Sequence, residues 1–303
     1  MQRVTLNQGS ADPVQFSRLV YGMWRLADDN TSPKHVQAKI ESCLEQGITT
    51  FDQADIYGGY RCEMVLGEAL KSAPQLWSQM EIVTKCGILL NTDAHPERRL
   101  KYYDTGAPHI EKSVDQSLAN MNIDQIDCLL IHRPDPFMDH HETGAALDEL
   151  VATGKVRSIG VSNFKPHDWN LLQSAMSNRL VTNQLEISVL EHQPFVNGDI
   201  AFYQQGNVPP MAWSPLGGGA LFDATRSDTA EVRACLERVA TERGVGMDAV
   251  AIAWLLAHPA NIMPVMGTNS LERIKKLSDA TKIEIDRQTW FEIYVAAMGQ
   301  DVP

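Results

Sequence analysis

The feature that most constrains the fold is an eightfold alternation of short apolar runs with amphipathic stretches. Each run has the length of a buried strand, and segments with helical spacing fall between the runs. Continuous apolar strands separated by helices are typical of a parallel sheet covered by helices. The eight runs are RLVYGMW from 18, TTFDQA from 49, EIVTKCG from 81, DCLLIHR from 127, RSIGVSNF from 157, TNQLEIS from 182, PPMAWSPL from 209 and NIMPVMG from 261.

The number of these units predicts a closed barrel. Eight strand–helix units of roughly thirty residues each are what a (β/α)8 TIM barrel requires. An open doubly wound sheet shares the alternation, but it does not usually extend to eight regular units without a second domain. No linker, low-complexity tract or charge block divides the 303 residues. We therefore predict an α/β protein with one TIM barrel domain over residues 1–303.

Three local patterns complete the predicted architecture. The runs VTLNQG from 4 and VQFSRL from 14 predict a short N-terminal β-hairpin before the barrel. Apolar residues recur at helical spacing over 108–121, which predicts a helix there. The stretch GVGMDA at 244–249 resembles the dinucleotide fingerprint G-x-G-x-x-A, but it follows a helical pattern instead of a strand. We interpret it as a turn between helices.

Charge and composition exclude several classes of protein. The formal net charge is −12, and an acidic surface repels the phosphates of nucleic acids. The most apolar segment, AVAIAWLLA at 249–257, is too short to cross a bilayer, and MQRVTLNQGS lacks the features of a signal peptide. We expect a cytoplasmic protein without membrane or nucleic-acid partners. A monomer is the default prediction.

Disulfides and metal sites are also not expected. The five cysteines form no C-x-x-C pair, and reduced thiols are the better interpretation. The stretch DHHE at 139–142 has adjacent histidines in what we predict to be a polar loop, so we assign no metal ligands.

Four ionisable side chains are expected to meet at one rim of the barrel. Active sites of TIM barrels lie at the C-terminal ends of the strands. Asp52 ends the second strand, Tyr57 follows in the next loop, and Lys85 and His132 end the third and fourth strands. A lysine that ends so apolar a run needs a partner, because buried lysines are rarely left unpaired.

This group supports proton transfer. An ammonium group beside a phenol favours the phenolate, so Lys85 is expected to lower the pKa of Tyr57 by ~1–3 units. Asp52 would hold Lys85 in place and keep it charged. His132 would donate a hydrogen bond to a substrate carbonyl oxygen. The group offers no evident nucleophile, so a partner that delivers electrons is needed, and a hydride donor is the natural one.

At these residues the chain resembles the aldo-keto reductases. The resemblance rests on GITTFDQADIYGG followed by E-x-x-L-G ending at Gly67, on Lys85, on LLIHRP, on GVSNF at 160–164, on WSPLGGG at 213–219 and on VMGTNSLERI at 265–274. It covers nearly the whole chain in order and fits a bacterial oxidoreductase member of that superfamily. It implies a TIM barrel that transfers a hydride from a nicotinamide dinucleotide, usually NADPH, to aldehydes and ketones. By the same resemblance Tyr57 is the proton donor, and Asp52, Lys85 and His132 complete a catalytic tetrad.

The resemblance also implies an NADP site in the later loops. Two residues after the fifth strand and one on the sixth would bind the nicotinamide carboxamide, Trp213 would stack on the nicotinamide, and the following loop would enclose the pyrophosphate. A lysine often occupies the position of Gly267 in this family and contacts the 2′-phosphate; its absence keeps NAD as the less favoured alternative. The expected cofactor-binding residues are Gly22, Trp24, Ser162, Asn163, Gln184, Trp213, Ser214, Pro215, Leu216, Gly217, Gly267, Thr268, Asn269 and Arg273.

The predicted function is NADPH-dependent reduction of a small aldehyde or ketone. Trp24, the loop over 88–108 and residues 137–138 are expected to wall the carbonyl pocket, and Arg98, Arg99 and Lys101 are interpreted as exposed loop charges. Two alternatives stay open. One is a cofactor-binding regulatory module of the same fold, and the other is a Schiff-base lyase that uses Lys85 as its nucleophile.

Overall fold

The computed structural model describes residues 1–7, 13–93 and 95–303. Eight parallel strands form a closed barrel in chain order, with the last strand paired to the first. The predicted (β/α)8 barrel and its eight strands are therefore confirmed. The strands are β1 Val20–Gly22, β2 Thr50–Asp52, β3 Glu81–Cys86, β4 Cys128–Ile131, β5 Ile159–Ser162, β6 Leu180–Glu186, β7 Met211–Trp213 and β8 Met263–Met266.

The predicted N-terminal hairpin is present and closes one end of the barrel. Strand Arg3–Thr5 pairs antiparallel with Gln15–Ser17. Residues 8 and 9 of the predicted hairpin lie outside the described residues. The hairpin belongs to an apolar cluster with inward-facing barrel side chains, so the barrel is filled from its N-terminal end. That cluster consists of Val4, Leu6, Val14, Phe16, Val20, Val83, Cys128, Leu130, Val181, Met211, Met263 and Val265.

Helices follow the strands and cover the barrel. The predicted helix over 108–121 is confirmed as Ala107–Met121, with Ile110, Val114 and Met121 buried. The other helices of at least seven residues are Pro33–Leu44, Cys62–Ser72, His140–Ala152, Pro166–Gln173, Asp199–Gln205, Ala230–Arg243, Met247–Leu256 and Arg287–Met298. Short helices are Leu26–Asp28, Tyr57–Tyr60, Pro74–Gln79, Gln193–Val196, Gly217–Phe222, Ser227–Thr229, Leu271–Ile274 and Leu277–Lys282. A two-stranded pair, Ile88–Leu89 with Tyr102–Tyr103, lies in the loop after β3.

The E-x-x-L-G motif fastens helix Cys62–Ser72 to its neighbours. A Cβ atom on Gly67 would lie 1.9 Å from the backbone oxygen of Asn120, so only glycine allows this approach to helix Ala107–Met121. The buried Glu63 accepts hydrogen bonds from Thr84 Oγ1 at 2.7 Å and Asn120 Nδ2 at 3.2 Å. These contacts hold the helix against β3, the strand that carries Lys85.

The two misleading sequence patterns have different outcomes. Helix Ala230–Arg243 ends at the left-handed Gly244, and the next helix begins at Met247. A turn between helices is therefore confirmed for GVG at 244–246, and MDA forms the first turn of the next helix. The loop interpretation of DHHE is wrong. Asp139 caps helix His140–Ala152 by accepting from the backbone N–H groups of His141 and Glu142, because a carboxylate satisfies the free N–H groups of a first turn.

Two general features concern the described part of the chain. Its five cysteines are free thiols. Within it no helix has the length and apolarity needed to cross a membrane, and no group of three or more His, Cys, Asp or Glu side chains is arranged to hold a metal ion.

Candidate active site

The four ionisable residues meet at the C-terminal rim, as the sequence predicts. Lys85 Nζ donates hydrogen bonds to Asp52 Oδ1 at 2.7 Å, to the backbone oxygen of Gln53 at 2.8 Å and to the Tyr57 hydroxyl at 3.0 Å. These three acceptors match the three N–H groups of an ammonium ion. The Lys85 side chain is fully buried and Asp52 is 2% exposed, so the ion pair is shielded from water.

Asp52 is held from the opposite wall of the barrel as well. Gln184 Nε2, on β6, donates to Asp52 Oδ1 at 2.8 Å. The sequence predicts Gln184 as a carboxamide ligand of the cofactor, and the structure gives its amide nitrogen this additional contact. One carboxylate oxygen thus accepts both the Lys85 ammonium and the Gln184 amide, which fixes the position of the ion pair.

His132 lies beside Tyr57 but is not bonded to it. The two rings are edge-to-face with centroids 5.9 Å apart. The Nδ1 atom of His132 is buried and has no hydrogen-bond partner among residues 1–7, 13–93 and 95–303. Burial lowers the pKa of His132 well below its ordinary value, and the positive charges of Lys85 and Arg133 act in the same direction. The imidazole is therefore neutral at neutral pH.

The expected lowering of the Tyr57 pKa is wrong, because the pKa is shifted in the opposite direction. Burial raises the pKa of the Tyr57 phenol well above its ordinary value, and the negative charge of Asp52 adds to this. Burial also lowers the pKa of Lys85, against the opposing effect of Asp52. Desolvation disfavours the charged form of each group, and it is the largest cause of both shifts. Tyr57 is a protonated phenol at neutral pH.

Four predicted cofactor residues form one hydrogen-bonded group across β5, β6 and β7. Ser162 Oγ donates to the backbone oxygen of Gln184 at 3.0 Å, and Asn163 Nδ2 donates to Ser162 Oγ at 2.8 Å. Asn163 Oδ1 accepts from Trp213 Nε1 at 3.0 Å. Asn163 has a positive φ of 62°, a conformation that asparagine tolerates better than most residues. The Trp213 ring is thereby fixed beside the amide group of Asn163.

The loop after β7 offers open backbone to a ligand. Gly218 and Gly219 have φ values of 63° and 103°, and a Cβ atom on either would meet no atom within 4 Å. Glycine backbone with this freedom allows a ligand to approach the chain closely. Ser214 also has a positive φ, of 48°. Of the predicted residues between them, Pro215 is buried and Leu216 packs against the core, so these two support the loop.

The loop after β8 is bound to the rest of the barrel. The Tyr21 hydroxyl donates to the backbone oxygen of Thr268 at 2.9 Å. Both polar atoms of the Asn269 side chain are bonded, because Nδ2 donates to the backbone oxygen of Arg25 at 2.6 Å and Oδ1 accepts from Lys39 Nζ at 3.2 Å. These bonds fix the amide in place, and the cofactor contact of Asn269 stays a prediction. Arg273 is exposed.

The β1 residues frame the same rim. Gly22 lies opposite Asp52 in the β1–β2 register, and a Cβ atom on Gly22 would lie 2.8 Å from Val265 Cγ1. Glycine thus allows β1 and β8 to pack closely at this level. Trp24 is 60% exposed, so its ring is available to a ligand above the rim.

The predicted pocket wall after β3 is tied to the segment that carries Tyr57, a contact that the sequence does not predict. The Tyr60 hydroxyl accepts hydrogen bonds from the Leu90 N–H at 2.8 Å and from Arg98 Nη1 at 2.7 Å. The side chain of Arg98 is 16% exposed, so its interpretation as an exposed loop charge is wrong. Phe137, predicted as a wall residue, is 95% exposed. Ala94 of this loop lies outside the described residues.

These residues fit a nicotinamide dinucleotide. The rim combines a half-buried tryptophan ring, a fixed amide group, an open glycine backbone and exposed cations on one continuous set of loops. Amide groups suit the nicotinamide carboxamide, and backbone N–H groups and arginine suit phosphate.

Comparisons with known proteins agree with this geometry. The Aldo/keto reductase family model matches residues 18–295. The chain is 59% identical to the 6-dehydroglucose reductase of Agrobacterium fabrum over 100% of both chains. A protein of the same name from Novosphingobium aromaticivorans is 37% identical over 96% of this chain and 94% of its own.

A solved structure has the same fold. The aldo/keto reductase from Klebsiella pneumoniae, determined in complex with NADP and acetate, has a TM-score of 0.75 and 22% identity, covering 92% of this chain and 91% of that one. The family model spans nearly the whole chain, and the first relative matches it end to end. The chain therefore belongs to the aldo/keto reductase family.

Proposed function

We propose that this protein is an NADPH-dependent reductase of 6-dehydroglucose, the sugar in which carbon 6 of glucose is an aldehyde. The substrate is taken from the two relatives named for it, which are 59% and 37% identical to this chain over nearly all of its length. Reduction of that aldehyde gives the primary alcohol of glucose. The more general reaction, reduction of a small aldehyde or ketone, is the one that the rim residues support by their own chemistry.

The observation that carries the proposal is the hydrogen bond from Lys85 Nζ to the Tyr57 hydroxyl at 3.0 Å. Lysine can only donate, so the tyrosine oxygen is the acceptor and the phenolic proton is not used in this bond. The raised pKa of Tyr57, to which the hydrogen bond with Asp52 contributes, keeps that proton in place at neutral pH. A protonated phenol is what a general acid for carbonyl reduction requires.

The tetrad divides the work as follows. When bound, the reduced nicotinamide supplies a hydride to the carbonyl carbon. Tyr57 donates its proton to the carbonyl oxygen, and the Lys85 ammonium stabilises the phenolate that remains. Asp52, 2.7 Å from Lys85 Nζ, keeps the lysine charged and oriented. The neutral imidazole of His132 donates a hydrogen bond to the same carbonyl oxygen and orients the substrate.

The cofactor is assigned to the loops after β5 to β8. Asn163, Ser162 and Gln184 would hold the carboxamide, Trp213 would stack on the nicotinamide, and the backbone after Ser214 would enclose the pyrophosphate. The exposed Arg273 supports NADP over NAD, because arginine suits a phosphate dianion. The NADP complex of the relative from Klebsiella pneumoniae supports the same choice.

The Schiff-base alternative is less well supported. A nucleophilic lysine needs a free lone pair, but Lys85 Nζ is surrounded by three oxygen acceptors at 2.7, 2.8 and 3.0 Å. The regulatory-module alternative requires that the same cofactor site bind without turnover. Two measurements distinguish these alternatives from the reductase. Borohydride trapping tests the Schiff-base lyase, and multiple turnovers of a carbonyl substrate would exclude the regulatory module.

The test of the proposal follows the absorbance of NADPH, and separately of NADH, with 6-dehydroglucose and with simple aldehydes of three to six carbons. We expect oxidation of NADPH with 6-dehydroglucose at a kcat/KM higher than with any simple aldehyde. Turnover of simple aldehydes alone would retain the reductase and reject the sugar. Tight NADPH binding with no reduction of any carbonyl compound would reject the proposal that the protein is a reductase.

A further inference from the structure

Arg25, in the loop after β1, is fastened at both ends to the loop after β8. Its Nη2 atom donates to the backbone oxygen of Gly267 at 3.0 Å. Its own backbone oxygen accepts from Asn269 Nδ2 at 2.6 Å. The two loops are more than 240 residues apart in the chain, so these bonds set where the guanidinium lies on the rim.

The guanidinium occupies the space of the side chain that position 267 lacks. A Cβ atom on Gly267 would lie 3.8 Å from Arg25 Nη2, and no other atom is within 4 Å of that point. Any longer side chain at position 267 would therefore extend into the volume that Arg25 fills. The positive charge of Arg25 is delivered to this point from β1 instead of from β8.

A buried lysine beneath the loop fixes this arrangement. Lys39 is fully buried, and its Nζ atom donates to Asp29 Oδ2 at 2.8 Å and to Asn269 Oδ1 at 3.2 Å. A buried ammonium group needs its hydrogen-bond partners, so Lys39 holds the Asn269 amide in the orientation that binds the Arg25 backbone. Asp29 is thereby neutralised by Lys39 and does not bind Arg25.

The guanidinium group of Arg25 has N–H donors that are not used within the described residues. Arg25 is exposed, and within the described parts of the chain Gly267 is the one residue whose oxygen accepts a hydrogen bond from its side chain. Its remaining contact is with the face of Trp24, 5.7 Å from the ring centroid. Arginine carries five N–H donors, so most of them remain available to a ligand. Arg273, at the other end of the same loop, is also exposed and forms no ion pair with a described residue.

We propose that Arg25 is a second contact to the 2′-phosphate of NADPH, beside the Arg273 already assigned to it, and that Arg25 sets the preference for NADPH over NADH. This inference rests on the cofactor assigned under the proposed function. A chain with a net charge of −12 presents here two cations without carboxylate partners among the described residues, beside the loop that follows β8. Barrels commonly bind phosphate after strands β7 and β8, and the guanidinium fork matches a phosphate group.

The test measures the Kd of NADPH and NADH by isothermal titration calorimetry for wild type and for Arg25→Gln. Glutamine keeps an amide donor for the Gly267 oxygen and removes the charge. Loss of one charge-assisted contact is expected to raise the Kd of NADPH about tenfold or more, with less than about a twofold change for NADH. The matched control is Arg179→Gln, an exposed arginine directly before β6, at the opposite end of the barrel.

A rescue variant makes the test independent of misfolding. Because the shorter glutamine vacates the space that the Arg25 guanidinium fills beside position 267, Arg25→Gln with Gly267→Lys is expected to recover most of the NADPH affinity lost in Arg25→Gln. An unchanged Kd for NADPH in Arg25→Gln, or an equal loss for NADPH and NADH, would overturn the inference. Wild type that binds neither cofactor would instead reject the proposed function.

Discussion

Replacing Asp55 by asparagine is expected to stabilise the protein at neutral pH. Oδ1 of Asp55 is shielded from solvent and has no partner among the residues that the structure describes, and Oδ2 accepts from Ser113 Oγ at 3.0 Å. Burial, aided by the negative charge of Glu63, raises the pKa of Asp55 from 3.8 to about 8. The folded protein therefore keeps a proton that the unfolded chain releases.

The magnitude follows from this difference in pKa. Between the two pKa values the unfolded chain binds fewer protons than the folded protein, so the free energy of unfolding falls as the pH rises. Each pH unit in the window from about pH 4 to about pH 8 removes about 1.4 kcal/mol through Asp55. Asparagine does not titrate. Relative to wild type, the variant should therefore gain about 3 kcal/mol between about pH 5 and about pH 7.

The assay is urea unfolding followed by circular dichroism at both pH values and constant ionic strength. The exposed Glu284→Gln removes one negative charge at the surface and serves as the matched control. The reasoning is refuted if the difference in unfolding free energy between Asp55→Asn and wild type is the same at both pH values. It is refuted equally if the control shows the same gain.

Three further predictions concern packing, titration and the pocket wall. Gly67→Ala should lower the free energy of unfolding by about 3 kcal/mol, measured by urea unfolding, because its Cβ atom would lie 1.9 Å from the Asn120 backbone oxygen. Since the pKa of His132 lies well below 6.5, the pH profile of kcat/KM for carbonyl reduction should show no inflection near pH 6.5. An inflection there in wild type that disappears in His132→Asn would contradict this. Tyr60→Phe removes a hydroxyl that accepts two hydrogen bonds from the loop after β3. It should raise the KM of the carbonyl substrate about three- to tenfold without changing the Kd of NADPH. An unchanged KM would show that this contact does not shape the pocket.

The barrel and the meeting of the tetrad could be predicted because both follow from periodic features. Alternating runs give the strand order, and strand order in a closed barrel places every strand end at one rim. Asp52, Lys85 and His132 end consecutive strands, so their proximity needs no knowledge of side-chain contacts. The hairpin and the helix over 108–121 are local patterns of the same kind.

Features set by burial and by contacts distant in sequence could not be predicted. The direction of the pKa shift of Tyr57 is set mainly by burial, and a sequence shows the charges but not the burial. The engagement of Asn269 by Lys39 and Arg25 joins residues about 230 and 244 positions apart. The loop assignment of Asp139 failed because the sequence also fits a capped first turn, which the following helix favours.

The left-handed conformation of Tyr60, with a φ of 70°, is another feature that the sequence does not predict. Nothing in its residue type predicts this conformation. It aims the hydroxyl at the loop after β3, and only the structure shows the two hydrogen bonds that result.

The measurement that tests the central claim most directly compares wild type, Tyr57→Phe and Tyr294→Phe in NADPH-dependent carbonyl reduction and in NADPH binding. Tyr294 is a suitable control because it lies on helix Arg287–Met298, and its hydroxyl forms no hydrogen bond with the described residues. We expect Tyr57→Phe to lower kcat by about 10²- to 10⁴-fold with an unchanged Kd for NADPH, and Tyr294→Phe to behave as wild type. A Tyr57→Phe variant that reduces the carbonyl at the wild-type rate would contradict the assignment of Tyr57 as the proton donor.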